Sequence, residues 1–146
     1  NARLDTIQAA ILLEKFKLFE KEIKLRKKIA NNYNKLISEN CSHIKIPHIL
    51  NNNESVYAQY TIKLPNRDSI KLDLGSQGIP TAVHYPVPLN EQPAMQQELN
   101  SIGESNKILN ASNASKMVLS LPMHPWLTKE DQDEIISCLI KSIERN

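Results

Sequence analysis

The sequence predicts a small α/β or α+β domain that follows a long helix. Three observations indicate this fold class. Apolar residues recur at three- and four-residue spacing near both ends of the chain, and shorter segments between them have the pattern of strands. The chain has 146 residues, of which 40% are hydrophobic and 23% charged, so it is long enough to bury one sizeable core.

The first predicted element is one long helix over residues 5–38. Asp5, followed three residues later by Gln8, resembles a capping box at its start. Lysines and glutamates between residues 14 and 28 fall mostly off the apolar stripe, which favours a solvated face over the alternative of a basic recognition helix. Arg26 alone interrupts this stripe. The stripe consists of Leu12, Phe16, Phe19, Ile23, Ala30, Tyr33 and Ile37.

The middle of the chain predicts a strand, a short helix and a second strand. A helix is expected over residues 67–75, and Gly78 suits the left-handed turn that ends it. The second strand is expected over residues 79–84. The first strand is expected over residues 55–64, where side chains alternate between an inward and an outward side as in a half-buried strand. Its inward side consists of Val56, Ala58, Tyr60, Ile62 and Leu64.

The last third of the chain predicts three more helices and one strand. Helices are expected near residues 93–99 and 105–115, and a third short strand at 116–123. Thr128 and Asp131 have the spacing of a cap for the final helix. The apolar face of that helix consists of Ile135, Ile136, Leu139, Ile140 and Ile143.

Composition and spacing argue against several partners and sites. Eighteen Lys and Arg against sixteen Asp and Glu give a formal charge of +2, too balanced to indicate nucleic acid. No apolar run approaches the roughly 20 residues of a membrane span, and no signal-peptide pattern opens the chain. The four histidines do not fall at metal-ligand spacing, and none of the three glycines lies in a phosphate-binding or dinucleotide loop.

The cysteines and the first residues indicate the setting of the chain. Cys41 and Cys138 lie far apart and make no disulfide framework, so a reducing, cytoplasmic location is expected. The chain does not start with Met, and a helix pattern begins almost at once. We therefore expect a fragment of a longer protein.

The most unusual stretch of the sequence is residues 78–94, where His84 and Tyr85 follow a strand-like segment. Pro86, Pro88 and Pro93 stiffen the chain after them. On one interpretation the two rings face a cleft, where imidazole and phenol hydrogen-bond a phosphate or sugar oxygen. On the other, they pack at a strand end and satisfy a local carbonyl. Spacing alone leaves both interpretations open.

The first three residues have a similar ambiguity. Asn1 and Arg3 precede the long helix, where an amide and a guanidinium suit an anion. The same side chains also suit a helix cap and a surface ion pair. A non-catalytic binding module, such as a helical interaction module whose long helix docks a partner, therefore remains an alternative.

Four motifs in order give the chain a family resemblance. They are N-x-R-L-D-x-x-Q-A-A-I-L at 1–12, Y-x-x-Y at 57–60, G-I-P-T-A-V-H-Y-P at 78–86 and S-L-P-M-H-P at 120–125. Nearly the whole chain resembles the C-terminal portion of the pyridoxal-phosphate-dependent nucleotide-sugar aminotransferases of the DegT/DnrJ/EryC1/StrS family. Its forms SVYAQYT and HYPVPLNEQPA look most like the branch that aminates the 3-keto position of a UDP-N-acetyl hexuronic acid. That branch serves bacterial surface polysaccharide, including the O-antigen of lipopolysaccharide.

This resemblance implies a type I aminotransferase fold with pyridoxal 5′-phosphate as the cofactor. Residues 1–40 would be the long interdomain helix and residues 41–146 the small C-terminal α/β domain. The large cofactor-binding domain would lie upstream. The resemblance also implies a homodimer in which both subunits build each active site, with no metal, nucleic acid or membrane as a partner.

The resemblance assigns roles to four residues of this chain. Asn1 would reach the cofactor phosphate of the neighbouring subunit. Arg3, His84 and Tyr85 would contact the nucleotide sugar across the dimer.

The residue that runs the chemistry is expected elsewhere. In the family, the lysine that forms the Schiff base with the cofactor lies upstream, and no lysine here has that sequence context. This chain alone is therefore expected to be inactive. Some relatives are sugar dehydratases, in which that upstream lysine is commonly His, so a dehydratase of the same fold is the second alternative. Glutamate is the usual amino donor.

Overall fold

The computed structural model describes residues 3–101 and 108–146, which fold into a mixed helical and stranded structure of the predicted class. No helix in these two ranges is both long and apolar enough to cross a lipid bilayer. In chain order, the elements are α1 (Thr6–Phe16), α2 (Phe19–Asn40), β1 (Tyr60–Lys63), α3 (Arg67–Ser76), a 3₁₀ helix (Leu89–Glu91), α4 (Pro93–Ser101), α5 (Leu109–Met117), β2 (Val118–Leu121) and α6 (Lys129–Arg145).

The core lies between the sheet and helices α2, α3 and α6, because α6 packs on both α2 and α3. Two buried tyrosines join the layers, with ring centroids 4.9 Å apart. The Tyr33 hydroxyl donates to the carbonyl of Pro122 over 3.0 Å, and the Tyr60 hydroxyl donates to Oδ1 of Asn34 over 2.6 Å. The predicted face of the final helix is confirmed, since Ile135, Ile136 and Leu139 are buried.

The sheet is an antiparallel pair in which Tyr60 lies opposite Leu121. The strand predicted at 116–123 is shorter, since residues 116–117 end α5. The strand predicted at 79–84 is wrong: this segment makes one isolated bridge, in which Ala82 and Ser120 exchange backbone hydrogen bonds of 3.1 and 2.8 Å. A physical reason is Pro80, which has no N–H to extend the ladder.

The strand predicted at 55–64 is also too long, because only residues 60–63 pair. Val56 and Ala58 are exposed rather than inward-facing. Tyr57 has a φ of 47°, a left-handed conformation that a strand does not adopt. Its carbonyl accepts a 3.2 Å hydrogen bond from Nη1 of Arg26, the residue that interrupts the apolar stripe of the long helix. The segment therefore turns toward α2 instead of continuing along β2.

The single helix predicted over residues 5–38 is divided at Lys17–Leu18 into α1 and α2. There the backbone N–H groups of Lys17 and Leu18 donate to carbonyls three residues back, which tightens one turn. The Lys17 ammonium also binds the Glu14 carboxylate at 2.7 Å. The stripe is buried at Ala30, Tyr33 and Ile37 in α2, whereas α1 has no buried residue.

The helix ends follow local sequence signals. Asp5 caps α1 by accepting a 2.8 Å hydrogen bond from the N–H of Ile7. Thr128 and Asp131 form a reciprocal capping box at α6, and the hydrogen bonds from Thr128 lower the pKa of the Asp131 carboxyl. Helices α4 and α5 lie close to the predicted ranges, although residues 105–107 of the predicted second helix fall outside the described residues.

The end of α3 confirms the role predicted for Gly78, which has a φ of +80°. The N–H of Gly78 donates to the carbonyl of Gly75, and the N–H of Ile79 donates to the carbonyl of Leu74. These two bonds form a Schellman motif, accompanied by burial of both Leu74 and Ile79. This turn directs the chain back across the sheet toward His84.

Candidate functional site

A cavity of about 300 Å³ lies beside His84 at the edge of the sheet. Three separate parts of the chain line it, within residues 58–59, 80–84 and 120–123. Each part belongs to one of the motifs described above. The fold therefore brings three distant motifs to one cavity.

The sheet builds one wall of this cavity. The bridge between Ala82 and Ser120 places the segment that ends in His84 against β2. Ser120 is buried, and its hydroxyl shares a 2.8 Å hydrogen bond with the hydroxyl of Thr61 on β1. Because backbone and side-chain bonds both fix this wall, His84 follows a rigid element.

His84 and Tyr85 do not pack in the core. Both side chains are exposed, Tyr85 to 76%, and neither has a hydrogen-bond partner among the described residues. Their rings meet edge to face with centroids 5.8 Å apart, and the peptide bond between them is cis. The imidazole lines the cavity, while the phenol stands beside it with its hydroxyl free to contact a ligand.

The polar groups of the cavity suit an uncharged or anionic ligand. Gln59, Thr81, Ser120 and His84 contribute amide, hydroxyl and imidazole groups, and the remaining lining is apolar. Among the described residues, no carboxylate lines this cavity. Such a mixture of apolar walls and a few hydrogen-bonding groups is typical of small-molecule sites.

The Y-x-x-Y motif contributes Ala58 and Gln59 to the cavity rather than its two tyrosines. Tyr60 is fully buried, and burial raises the pKa of its phenol far above the ordinary value. Its hydroxyl is engaged by Asn34, so Tyr60 supports the sheet. Tyr57 is half-buried, and the residues that follow it, Ala58 and Gln59, reach the cavity.

The structure does not place Arg3 at this cavity. Arg3 is exposed ahead of α1 and is absent from the cavity lining. Asn1 lies outside the described residues. Within this chain, the predicted site residues that the fold brings together are therefore His84 and Tyr85.

Of the residues that line the cavity, sequence reasoning named only His84 as a site residue and missed the others, among them Gln59 and Met123. Both lie inside motifs that carry the resemblance, so the motifs contained a signal for them. Their residue types gave none, because glutamine and methionine are common on surfaces and in cores. Among the described residues, no group of three or more His, Cys, Asp or Glu is arranged to hold a metal ion.

Comparison with known proteins identifies the family. The model of the DegT/DnrJ/EryC1/StrS aminotransferase family matches residues 1–140. The chain is 49% identical over 127 residues to the UDP-2-acetamido-2-deoxy-3-oxo-D-glucuronate aminotransferase of Pseudomonas aeruginosa, covering 87% of this chain and 33% of that protein.

Solved structures agree with this match. A DegT/DnrJ/EryC1/StrS aminotransferase from Brucella abortus superposes with a TM-score of 0.82 and 39% identity, covering 99% of this chain and 37% of that one. NtdA from Bacillus subtilis, with its bound cofactor PMP, superposes with a TM-score of 0.82 and 28% identity. The match covers 97% of this chain and 33% of NtdA. The superpositions confirm the expected aminotransferase fold.

These matches cover nearly all of this chain but only about a third of the length of each relative. Pyridoxal phosphate is the cofactor of the family, and the Bacillus structure holds its amino form. The motifs that line the cavity lie inside the matched residues. The chain belongs to the DegT/DnrJ/EryC1/StrS aminotransferase family.

Proposed function

We propose that this chain is the C-terminal part of a pyridoxal-phosphate-dependent aminotransferase that acts on a keto nucleotide sugar. The substrate is a UDP-3-keto-N-acetyl-hexuronic acid, the donor is glutamate, and the product serves surface polysaccharide. The observation that carries the proposal is the cavity at His84, where three family motifs meet. The 49% identity to a UDP-3-oxo-sugar aminotransferase supports the choice of sugar.

The chemistry of the cavity supports a role in substrate binding. A nucleotide sugar presents hydroxyl, carbonyl and phosphate oxygens, and each accepts hydrogen bonds from imidazole, phenol or amide groups. His84 and Tyr85 are free to donate such bonds because the fold gives them no internal partner among the described residues. Arg3 supplies the charge that neutralises a diphosphate or uronate, and it contacts the nucleotide sugar across the dimer, as we propose for His84 and Tyr85.

The surface of α1 supports a homodimer with shared active sites. The exposed apolar residues of this region lie on α1 and immediately next to its two ends, and a longer protein has to cover such a patch. Residues 1–40 accordingly link the large and small domains. The exposed apolar side chains are Leu4, Ile7, Ile11, Leu12, Leu13, Phe16, Leu18 and Phe19.

The cofactor supplies the electron-sink chemistry of the reaction, and this chain shapes the substrate side of the site. Asn1 is the residue that we expect at the cofactor phosphate. We expect the lysine that carries the cofactor to lie upstream, as the family resemblance implies, because no lysine of this chain has its sequence context. Cys41 and Cys138 are both free thiols, which suits a cytoplasmic enzyme.

The test is amino transfer by the intact enzyme. We expect 2-oxoglutarate and a 3-amino sugar from glutamate and the UDP-3-keto uronate, detected by mass spectrometry. A dTDP-4-keto sugar serves as the matched control, and kcat/KM for it should be lower by about 100-fold, since the site is built for a different hydrogen-bonding pattern. Loss of water from the sugar without amino transfer would identify the dehydratase alternative instead.

A further inference from the structure

Arg26 is a partly buried cation on the apolar side of α2. Its Nη1 donates to two backbone carbonyls, those of Tyr57 at 3.2 Å and Met123 at 3.4 Å. No carboxylate within the described ranges forms an ion pair with it. The guanidinium therefore interacts with the backbone of two segments that are distant in sequence from α2 and from each other.

Both of these segments form the cavity at His84. Met123 lines it directly, and Ala58 and Gln59 follow Tyr57 immediately. Arg26 itself is absent from the lining of this cavity; it lines a separate cavity together with Val56 and Ala58. One side chain thus joins the long helix to two of the three parts that line the cavity.

The segment at Tyr57 needs such a contact. Its φ of 47° is unfavourable for a bulky side chain, and residues 55–59 make no strand ladder that would hold it. Two side-chain bonds fix its peptide groups: the Ser55 hydroxyl accepts from the Tyr57 N–H over 3.1 Å, and Arg26 donates to the Tyr57 carbonyl. Without Arg26, the backbone that leads to Gln59 loses one of these bonds.

We propose that Arg26 is a positioning residue for the nucleotide-sugar site, acting through the backbone of Tyr57 and Met123 to place Gln59 and Met123 around the substrate. This inference rests on the proposed function. The specificity-determining side chains are then Gln59, whose amide hydrogen-bonds the sugar, and Met123, whose thioether packs against it.

The test compares Arg26→Met with Arg26→Lys in the intact enzyme. The Met variant keeps an unbranched apolar side chain but loses the hydrogen bonds to the carbonyls of Tyr57 and Met123. The Lys variant keeps the positive charge on a shorter side chain. Lys24→Met removes one charge from the exposed side of the same helix and is the matched control. We expect Arg26→Met to weaken binding of UDP-N-acetyl-glucuronate, measured by calorimetry, by about tenfold or more. The affinity of Arg26→Lys for this ligand should lie between those of Arg26→Met and the wild type, and the affinity of Lys24→Met should match that of the wild type.

A second readout separates positioning from simple bracing of the fold. For Arg26→Met, kcat/KM for the nucleotide sugar should fall while kcat/KM for glutamate is unchanged, and hydrogen exchange should quicken at residues 57–59 and 123. An Arg26→Met enzyme with lower Tm but unchanged sugar affinity would overturn the inference. If Arg26→Met does not fold, Arg26→Lys tests the positioning role instead. Its kcat/KM for the nucleotide sugar should fall while its kcat/KM for glutamate is unchanged.

The two proposals fail in different ways. A wild-type enzyme that does not bind the UDP sugar contradicts the proposed function. Hydrogen exchange at residues 57–59 and 123 needs no ligand, so unchanged exchange in both Arg26 variants contradicts the positioning role whatever the substrate is.

Discussion

At the scale of single residues, the informative feature is a pair of rings that the fold leaves uncovered. His84 and Tyr85 end an apolar segment, yet both are exposed beside a cavity. His84→Ala should therefore weaken nucleotide-sugar binding and change the free energy of unfolding by no more than about 0.5 kcal/mol, as for other exposed positions. Calorimetric titration measures the change in nucleotide-sugar affinity, and thermal unfolding measures the change in stability. A variant that loses several degrees of Tm and keeps its affinity would show that the imidazole matters for packing.

Arg3 makes a separate prediction because its contact lies outside this chain. It is exposed and has no ion pair among the described residues, so Arg3→Ala removes no internal contact. If it binds the diphosphate or uronate in the dimer, KM for the nucleotide sugar should rise about tenfold or more, since hydrogen bonds to charged groups contribute roughly 1.5–3 kcal/mol. An unchanged KM would remove Arg3 from the site.

Sequence reasoning identified the rings but not the side chains around them. His84 and Tyr85 stand out because polar rings and prolines follow a strand-like segment. Gln59 and Met123 line the cavity because the fold brings residues 58–59 and 120–123 together, and contacts between distant segments leave no local pattern. The site was therefore predictable where its chemistry is unusual in type, and not where it depends on tertiary position.

At the scale of elements, Gly75 near the end of α3 and Gly78 in the turn after it should respond oppositely to substitution by alanine. A Cβ at either position has no atom within 4 Å, so packing plays no part. Gly78 has a φ of +80°, and Gly78→Ala should lower the free energy of unfolding by about 1–2 kcal/mol. Gly75 lies inside the helix, where Gly75→Ala should raise it by roughly 0.5–1 kcal/mol. Denaturant titration of both variants checks the signs, and a loss of stability in both would contradict this account.

The buried hydroxyl of Tyr33 links α2 to the end of β2. Tyr33→Phe leaves the Pro122 carbonyl without its 3.0 Å hydrogen bond, which should cost about 1–3 kcal/mol. Burial raises the pKa of the Tyr33 phenol above its ordinary value, so the folded state holds this proton after the unfolded state has released it. The stabilisation is thus complete below pH of about 10 and declines as the pH rises further, by up to about 1.4 kcal/mol per pH unit.

Tyr33→Phe should flatten this alkaline decline, which denaturant titrations between pH 9 and 11 would measure. Tyr60→Phe is the matched variant, because burial also raises the pKa of Tyr60. Equal slopes in the wild type and in both variants would exclude the phenols as the cause.

The sequence predicted helix ends better than strands, because a helix end depends on residues close in sequence and a strand depends on a partner that is distant in sequence. Helix ends were predictable at Thr128 and Gly78 because a cap needs only neighbouring residues. Strands need a partner. Residues 55–64 have the alternation of a strand, but Tyr57 has a left-handed φ and its carbonyl accepts a hydrogen bond from Arg26 on α2, so only four residues pair.

At the scale of the whole molecule, the two halves of the apolar stripe have different surroundings. From Ala30 onward in α2 the stripe is buried, whereas in α1 and at Phe19, the first residue of α2, it is exposed, with Phe16 and Phe19 stacked at 5.6 Å. A periodic pattern predicts that a helix face is covered but not which part of a protein covers it. The relatives are about three times as long as this chain, which is consistent with our proposal that α1 is covered in a longer protein.

The sharpest prediction for the whole chain concerns the cofactor. Lysines that hold pyridoxal phosphate sit in desolvated pockets that lower their pKa, and the lysines in the described residues are exposed or half-buried. The purified 146-residue chain should therefore form no specific adduct. After incubation with pyridoxal phosphate, borohydride reduction and digestion, mass spectrometry should find scattered, substoichiometric labels on surface lysines. A single stoichiometric label, with turnover of a keto sugar, would place the catalytic lysine within these residues and overturn the proposal that it lies upstream.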